Sequence, residues 1–211
     1  MPEITDIRPT SRGSRRRRLY LDGCEWRSVP QEVVRAAGLR VGQAVEEAAL
    51  VAQLAEAEPP QAWERALRLL NYRDRGSGEL RARLLDDGYE AAVVEDVVER
   101  ALAMGFLDDR RFAEGLARQE GMKRRGRRRV AAELAAKGVD EALAAQILAE
   151  CCSPEEERGR ALSLARRLAS RYRDEVPRLA SRLCRAGYEP SLAWNVAREA
   201  VNEADRRSDE G

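Results

Sequence analysis

One five-position pattern occurs three times in this chain. Leu80, Leu84, Gly88, Val93 and Val97 are matched by Val130, Leu134, Gly138, Leu143 and Ile147, and again by Leu179, Leu183, Gly187, Leu192 and Val196. The offset is 50 residues from the first copy to the second and 49 from the second to the third, with unchanged internal spacing. Agreement at five positions in three copies argues against unrelated helices with coincidental glycines. Apolar side chains four residues apart share one helix face. The glycine four residues later closes that helix, because it takes the left-handed cap conformation at little cost. An acid two positions on (Glu90, Asp140, Glu189) suits the start of the next helix, where the macrodipole favours negative charge. Pro190 adds a first-turn signal in the third copy. The second apolar pair then lays the new helix against its predecessor.

Another amphipathic stretch precedes each copy: residues 61–73 with Trp63, Leu67 and Leu70, residues 109–123 with Phe112 and Leu116, and residues 154–172 with Leu162, Leu164 and Leu168. The repeat is therefore three helices in about 50 residues. The expected fold is mainly all-α, with three tandem three-helix repeats forming a curved array. The expected divisions are 61–108, 109–153 and 154–206, with a disordered tail at 207–211. Aromatic residues make up only 5% of the chain against 44% hydrophobic residues in total, so the core must be Leu, Val and Ala, which suits packed helices.

Residues 1–60 read differently. Asp22-Gly23 lies between short alternating runs and signals a two-residue β-hairpin turn, with Leu19, Leu21, Cys24 and Trp26 as one face. Pro30 opens a short helix ending near Gly38, a second helix is expected over residues 43–57, and Pro59-Pro60 is expected to break the chain at a domain boundary. The segment 1–60 is thus a small hairpin-plus-helices domain.

Several classes of chemistry have no residues here to carry them. There is no His, so the commonest general base and metal ligand is missing, and the four cysteines form no CxxC pair. Adjacent Cys151 and Cys152 read as small apolar helix residues. No P-loop and no nucleophile elbow occur. The acid pairs Asp86–Asp87 and Asp108–Asp109 do not face each other on a helix, and Asp108 and Asp109 read as a cap for the helix carrying Phe112. The expectation is a non-enzyme without cofactor or metal. No signal peptide or membrane span is apparent, which reads as cytoplasmic.

Charge is segregated although the net is +1. Residues 86–109 hold eight acids against Arg100, a net of −7; residues 110–137 hold ten Lys and Arg against three Glu, a net of +7. Within the second block lie Lys123, Arg124, Arg125, Arg127, Arg128 and Arg129, and a further run is Arg15, Arg16, Arg17 and Arg18. These ten residues are the candidate contacts for DNA phosphates or for an acidic protein surface, two partners that make the same demand on sequence. Few aromatics lie near the runs, which disfavours base-specific single-strand readout. Gly88, Gly138, Gly187, Asp108 and Asp109 are candidate structural caps.

Two stretches, Gly105-Phe-Leu-Asp-Asp-Arg-Arg-Phe-Ala113 and Gly126-Arg-Arg-Arg-Val-Ala-Ala-Glu-Leu-Ala-Ala-Lys-Gly-Val139, resemble the signature segments of the RecX family. Ala66-Leu-Arg-Leu-Leu-Asn-Tyr-Arg73 and Glu79-Leu80 with Gly88 resemble its first repeat, and the hairpin portion is similar to that of longer members. The family's usual Ser three residues before the Glu-Leu pair is Gly76 here, and Ser77 is expected to cap the helix carrying Leu80. The resemblance implies a small cytoplasmic protein that binds the RecA filament on DNA. It implies inhibition of RecA ATP hydrolysis, strand exchange and co-protease action, with weak, non-specific DNA binding of its own. A monomer bridging neighbouring RecA protomers is the mechanism this suggests. Two other readings remain open: a DNA-binding architectural protein acting through its basic block, and a helical scaffold joining two unrelated proteins.

Overall fold

The computed structural model describes residues 1–172 and 175–209, and divides into two compact units, Met1–Asp108 and Asp109–Gly211. Unit 1 opens with three strands, β1 (Ile4–Pro9), β2 (Arg16–Leu21) and β3 (Cys24–Pro30), in an antiparallel sheet of that order. The hairpin turn lies at Asp22 (φ 47°) and Gly23 (φ 82°), both in the left-handed region that a two-residue turn requires. The polar N-terminus hides an additional strand, β1, whose Ile4 is fully buried. Pairing slips between Leu19↔Arg27 and Tyr20↔Glu25, so Trp26 is an extra residue in β3. That bulge re-aims the strand. Leu19 and Leu21 are buried as expected, but Cys24, paired with Leu21 at the hairpin end, is exposed.

Helix α1 (Gln31–Ala36) follows Pro30 and gives way to Gly38 at φ 63°. The next helix begins at Glu47 rather than residue 43, because residues 43–45 are drawn onto the N-terminal strand: Ile4 N–H donates to Gln43 O (2.9 Å) and Val45 N–H to Pro2 O (2.9 Å). The Glu46 carboxylate caps it, accepting from the Ala48 and Ala49 N–H groups.

The expected break at Pro59-Pro60 does not occur. Helix α2 runs unbroken over Glu47–Tyr72 with both prolines inside it. Leu50, Leu54, Glu58, Ala62, Ala66 and Leu69 form one buried stripe that crosses the prolines at helical spacing, and its burial outweighs the two lost hydrogen bonds. The helix thereby joins the sheet to the first repeat, and both share one core. The compact unit ends at Asp108, not at residue 60.

Helices α3 (Ser77–Asp87) and α4 (Ala91–Ala103) complete unit 1. Gly76, not Ser77, is the N-cap of α3; Ser77 is its first helical residue and is buried. Unit 2 holds α5 (Asp109–Met122), α6 (Arg127–Ala136), α7 (Glu141–Cys151), α8 (Pro154–Ala169), α9 (Val176–Arg185) and α10 (Pro190–Asp209). The expected tail begins inside α10, and Glu210 and Gly211 lie outside the described residues. Among the described residues no helix is long and apolar enough to cross a membrane.

The repeat has a common local geometry. Gly88, Gly138 and Gly187 have φ of 102°, 71° and 96°. The next residue's N–H returns to the carbonyl five positions back: Tyr89 to Leu84, Val139 to Leu134 and Tyr188 to Leu183, at 3.1–3.2 Å. Glu90, Asp140 and Glu189 each accept the first hydrogen bond of the following helix through their carbonyls, and Asp140 also caps α7 with its carboxylate. The second helix of each copy buries Val94, Ala144 and Ala193, one residue after the expected Val93, Leu143 and Leu192, which are half-buried. Each opening helix buries an alanine pair four apart: Ala62 and Ala66, Ala113 and Ala117, Ala161 and Ala165. Small side chains there let the neighbouring helices approach closely, while Trp63 and Phe112 flank the contact.

Candidate nucleic-acid and protein interface

The larger basic run occupies the turn from α5 to α6 and the first turn of α6. A single buried carboxylate organises it. Glu120, 3% exposed, pairs with Lys123 Nζ (2.7 Å) and Arg125 Nη1 (2.7 Å). A buried acid is retained only where cations satisfy it, so the polypeptide must turn back over this residue. Arg125 also reaches Glu133 (3.6 Å), as does Arg129 (3.4 Å), and Arg128 approaches Glu189 at 4.0 Å. Among the described residues, neither Arg124 nor Arg127 has a carboxylate within 4.0 Å of its guanidinium. Arg124, Arg128 and Arg129 are exposed. Outward charge is thus carried by Arg124, Arg128 and Arg129 with half-buried Arg127 beside them, while Arg125 and the exposed Lys123 are held on Glu120.

That turn is clamped from the third repeat by backbone. Gly126 N–H donates to Ala186 O (2.9 Å) and Arg128 N–H to Gly187 O (3.1 Å), joining the N-terminus of α6 to the C-terminus of α9. The contact is so close that a Cβ at Gly126 would lie 2.3 Å from the Gly187 carbonyl carbon, and one at Gly187 would lie 2.4 Å from Arg129 Cβ. Arg127 N–H donates to Glu157 Oε1 (2.8 Å). Fully buried Tyr188 donates its hydroxyl to Arg124 O (2.8 Å), and burial pushes its pKa up to about 12, keeping the proton in place for that bond. The basic loop is therefore a preorganised feature of unit 2.

The N-terminal run is placed differently. Arg15 pairs with Glu32, Arg17 reaches Gln31 and Ser14 O, and Arg18 reaches Glu25 at 3.5 Å. Arg16 donates to Leu85 O and Asp86 O, closing the C-terminus of α3, with its stem against Gly88. Arg16 thus ties the sheet to the first repeat, Arg15 and Arg17 tie it to α1, and Arg18 braces the hairpin, so the four do not form one outward face. Asp108 immediately precedes α5 and Asp109 lies in its first turn. The cap glycines Gly88, Gly138 and Gly187 stand at helix ends as described above.

Unit 1 also carries an apolar surface. Phe106 (46% exposed) meets Trp63 edge to face with ring centroids 5.9 Å apart, and Arg100 lies 4.1 Å over the Trp63 ring. Leu102 and Met104 are exposed in the same stretch, and an open cavity of about 440 Å³ is bounded by Pro59, Pro60, Trp63, Val97 and Arg100. Aromatic, Met and Arg side chains of this kind are enriched in protein interfaces. Sequence reasoning missed Glu120, Tyr188 and this surface; the available signal for Glu120 was its place on the α5 stripe after Ala113 and Ala117.

Comparison with known proteins follows the same boundaries. Residues 62–100 match the model for the RecX first three-helix domain and residues 108–148 that for the second. A regulatory protein RecX from Mycobacterium sp. (strain KMS) is 38% identical over 158 residues, covering 70% of this chain and 86% of the relative. One from Mycolicibacterium smegmatis is 37% identical, covering 70% of this chain and 84% of the relative. A crystal structure of regulatory protein RecX aligns with TM-score 0.62 at 22% identity over 94% of this chain and 100% of that one. RecX from Lactobacillus salivarius aligns with TM-score 0.61 at 19% identity over 68% of this chain and 96% of that one. At those identities the structural likeness speaks for the fold.

Proposed function

The chain belongs to the RecX family of regulatory proteins, and on that premise we propose that it binds the RecA–DNA filament and inhibits RecA ATP hydrolysis, recombination and co-protease action. It acts by occupancy rather than catalysis, as a cytoplasmic monomer bridging neighbouring RecA protomers. The observation that carries this reading is the clamped basic loop, with Arg124, Arg127, Arg128 and Arg129 set on a backbone seam between two repeats. Cations fixed in this way neutralise phosphates or an acidic protein face without first losing loop entropy. Weak, non-specific DNA contact follows from the same residues. The exposed group at Leu102, Met104 and Phe106 favours a protein partner, since a phosphate backbone offers it nothing to pack on.

The alternative is an architectural DNA-binding protein, favoured by the same basic loop. RecA ATP hydrolysis on single-stranded DNA, with this protein well below one per RecA, separates the two. Inhibition that survives excess DNA supports filament binding. Inhibition that excess DNA abolishes means competition for DNA and gives the architectural reading precedence. No inhibition in either run removes the regulatory proposal. Charge reversal at Arg124, Arg127 and Arg128 adds a second readout. For the architectural protein, the salt dependence of single-strand binding should flatten by roughly 0.7 per lost phosphate contact and function should disappear with it. For the filament binder, inhibition should fall only in part.

A further inference from the structure

We propose that unit 1 contains a second, separate phosphate-binding site in the loop between β1 and β2. A cavity of about 400 Å³ opens there, with Arg12, Arg15, Arg16, Arg83, Asp86 and Asp87 among its lining. Four arginines face two aspartates, and both aspartates are committed. Asp87, 4% exposed, binds Arg65 (2.7 Å) and Arg83 (3.3 Å); Asp86 binds Arg83 (3.1 Å). Arg83 is thereby neutralised, and Arg15 is neutralised by Glu32. Two cations keep their charge. Arg16 faces only main-chain carbonyls of α3, and exposed Arg12 has no carboxylate within 4.0 Å among the described residues.

The loop also supplies undirected donors. The N–H groups of Ser11, Arg12 and Gly13 donate to no group among the described residues, while Ser14 N–H closes the turn on Ser11 O (3.1 Å). The Thr10 and Ser14 hydroxyls bond each other at 2.6 Å, and Ser14 Oγ accepts from Arg16 N–H, which fixes the loop base. Arg15 Nε is shut off from solvent with no acceptor, a further unmatched donor in the wall. Successive free N–H groups next to the uncommitted Arg12 guanidinium make an oxyanion cradle, with Arg16, its fork engaged on the α3 carbonyls, adding charge alone. An excess of two positive charges on the lining suits a phosphate dianion or adjacent phosphodiesters. This site owes nothing to the RecA reading, and it shifts the anion contact of unit 1 from the structurally engaged Arg15–Arg18 run to Arg12 and the loop amides.

The test is an amide-resolved NMR titration of the full chain with inorganic phosphate and, separately, with a short oligo-dT, comparing wild type with Arg12→Glu and Arg12→Lys. Arg12 is exposed, so the fold should persist in both variants, which the remaining resonances verify. The expected result is movement of the Ser11, Arg12 and Gly13 amides that vanishes in Arg12→Glu and is retained in Arg12→Lys. Movement with both ligands identifies nucleic-acid backbone as a source; movement with inorganic phosphate alone identifies a free-phosphate site. With oligo-dT as ligand, Arg12→Glu should also flatten the salt slope by about 0.7. Amides that stay still with both ligands, or that move equally in Arg12→Glu, overturn the proposal.

Discussion

At the level of single residues, Arg124 shows how far the basic loop departs from what stability alone would select. It ends α5 with φ of 55°, while its N–H returns to Gly121 O (2.9 Å) and the Arg125 N–H to Glu120 O (3.2 Å). Helices α3, α6 and α9 close through a glycine in the left-handed region, whereas α5 closes through an arginine. A β-carbon in that region costs roughly 1–2 kcal/mol. Arg124→Gly should therefore stabilise the protein by about 1 kcal/mol in urea unfolding, while weakening whatever the basic loop binds. A variant that gains no stability would show that the strained cap is already compensated. The sequence presents Arg124 only as one cation in a run, because nothing in its neighbours announces a positive φ. The Arg15–Arg18 run misled for a related reason: the groups that engage Arg16 lie 69 and 70 residues away and become its neighbours only in the fold.

Among the elements, the glycine-capped helix pairs were legible because a single periodic signal specifies both packing face and chain reversal. The prolines of α2 were misread because local propensity was weighed alone. Tertiary burial of the stripe through Glu58 overrode it, and the four-residue spacing of Leu50, Leu54, Glu58, Ala62 and Ala66 was the signal. Strand β1 escaped because its residues alternate too weakly: only Ile4 is fully buried. Glu58 is the most consequential member of the α2 stripe. It is 6% exposed, and its carboxylate accepts from the Glu90 N–H (2.6 Å), tying α2 to the start of α4. Burial raises its pKa above the ordinary 4.5, against the opposing attraction of Arg27. The fold therefore favours the protonated acid. Stability is greatest below the unfolded pKa, falls as pH rises through the higher folded pKa, and is level beyond it. Glu58→Gln retains an acceptor for Glu90 and removes the buried charge. It should be more stable than wild type at pH 7, with the difference vanishing by pH 4 in parallel denaturation series. An advantage that persists unchanged at pH 4 would mean that the side chain's charge is not the cause.

Over the whole chain, the three repeats were legible as copies, but their grouping was not. The division after Asp108 gives unit 1 a core shared by the sheet, α2, α3 and α4, while unit 2 holds two apolar clusters, one around Leu134 and Ile147 and one around Leu183 and Val196. Two clusters need a coupling element to behave as one body, and the Gly126–Gly187 backbone contact with the Tyr188–Arg124 bond supplies it. Gly187, a cap glycine of the five-position pattern, thus serves with Gly126 as the seam between repeats, which the pattern could not reveal. Residues 109–211 expressed alone should fold, since both clusters are internal to them. Trp194 is the sole tryptophan of that fragment and reports on the third repeat, whereas far-UV circular dichroism reports on α5 to α10 together. The two probes should give one coincident urea transition. Tyr188→Phe removes a buried hydrogen bond and should lower stability by about 1 kcal/mol while leaving the transition single. Gly187→Ala, whose β-carbon would strike the Arg129 backbone nitrogen at 2.5 Å, should separate the two transitions. Coincident curves in Gly187→Ala would place the coupling in side-chain packing rather than in the backbone seam.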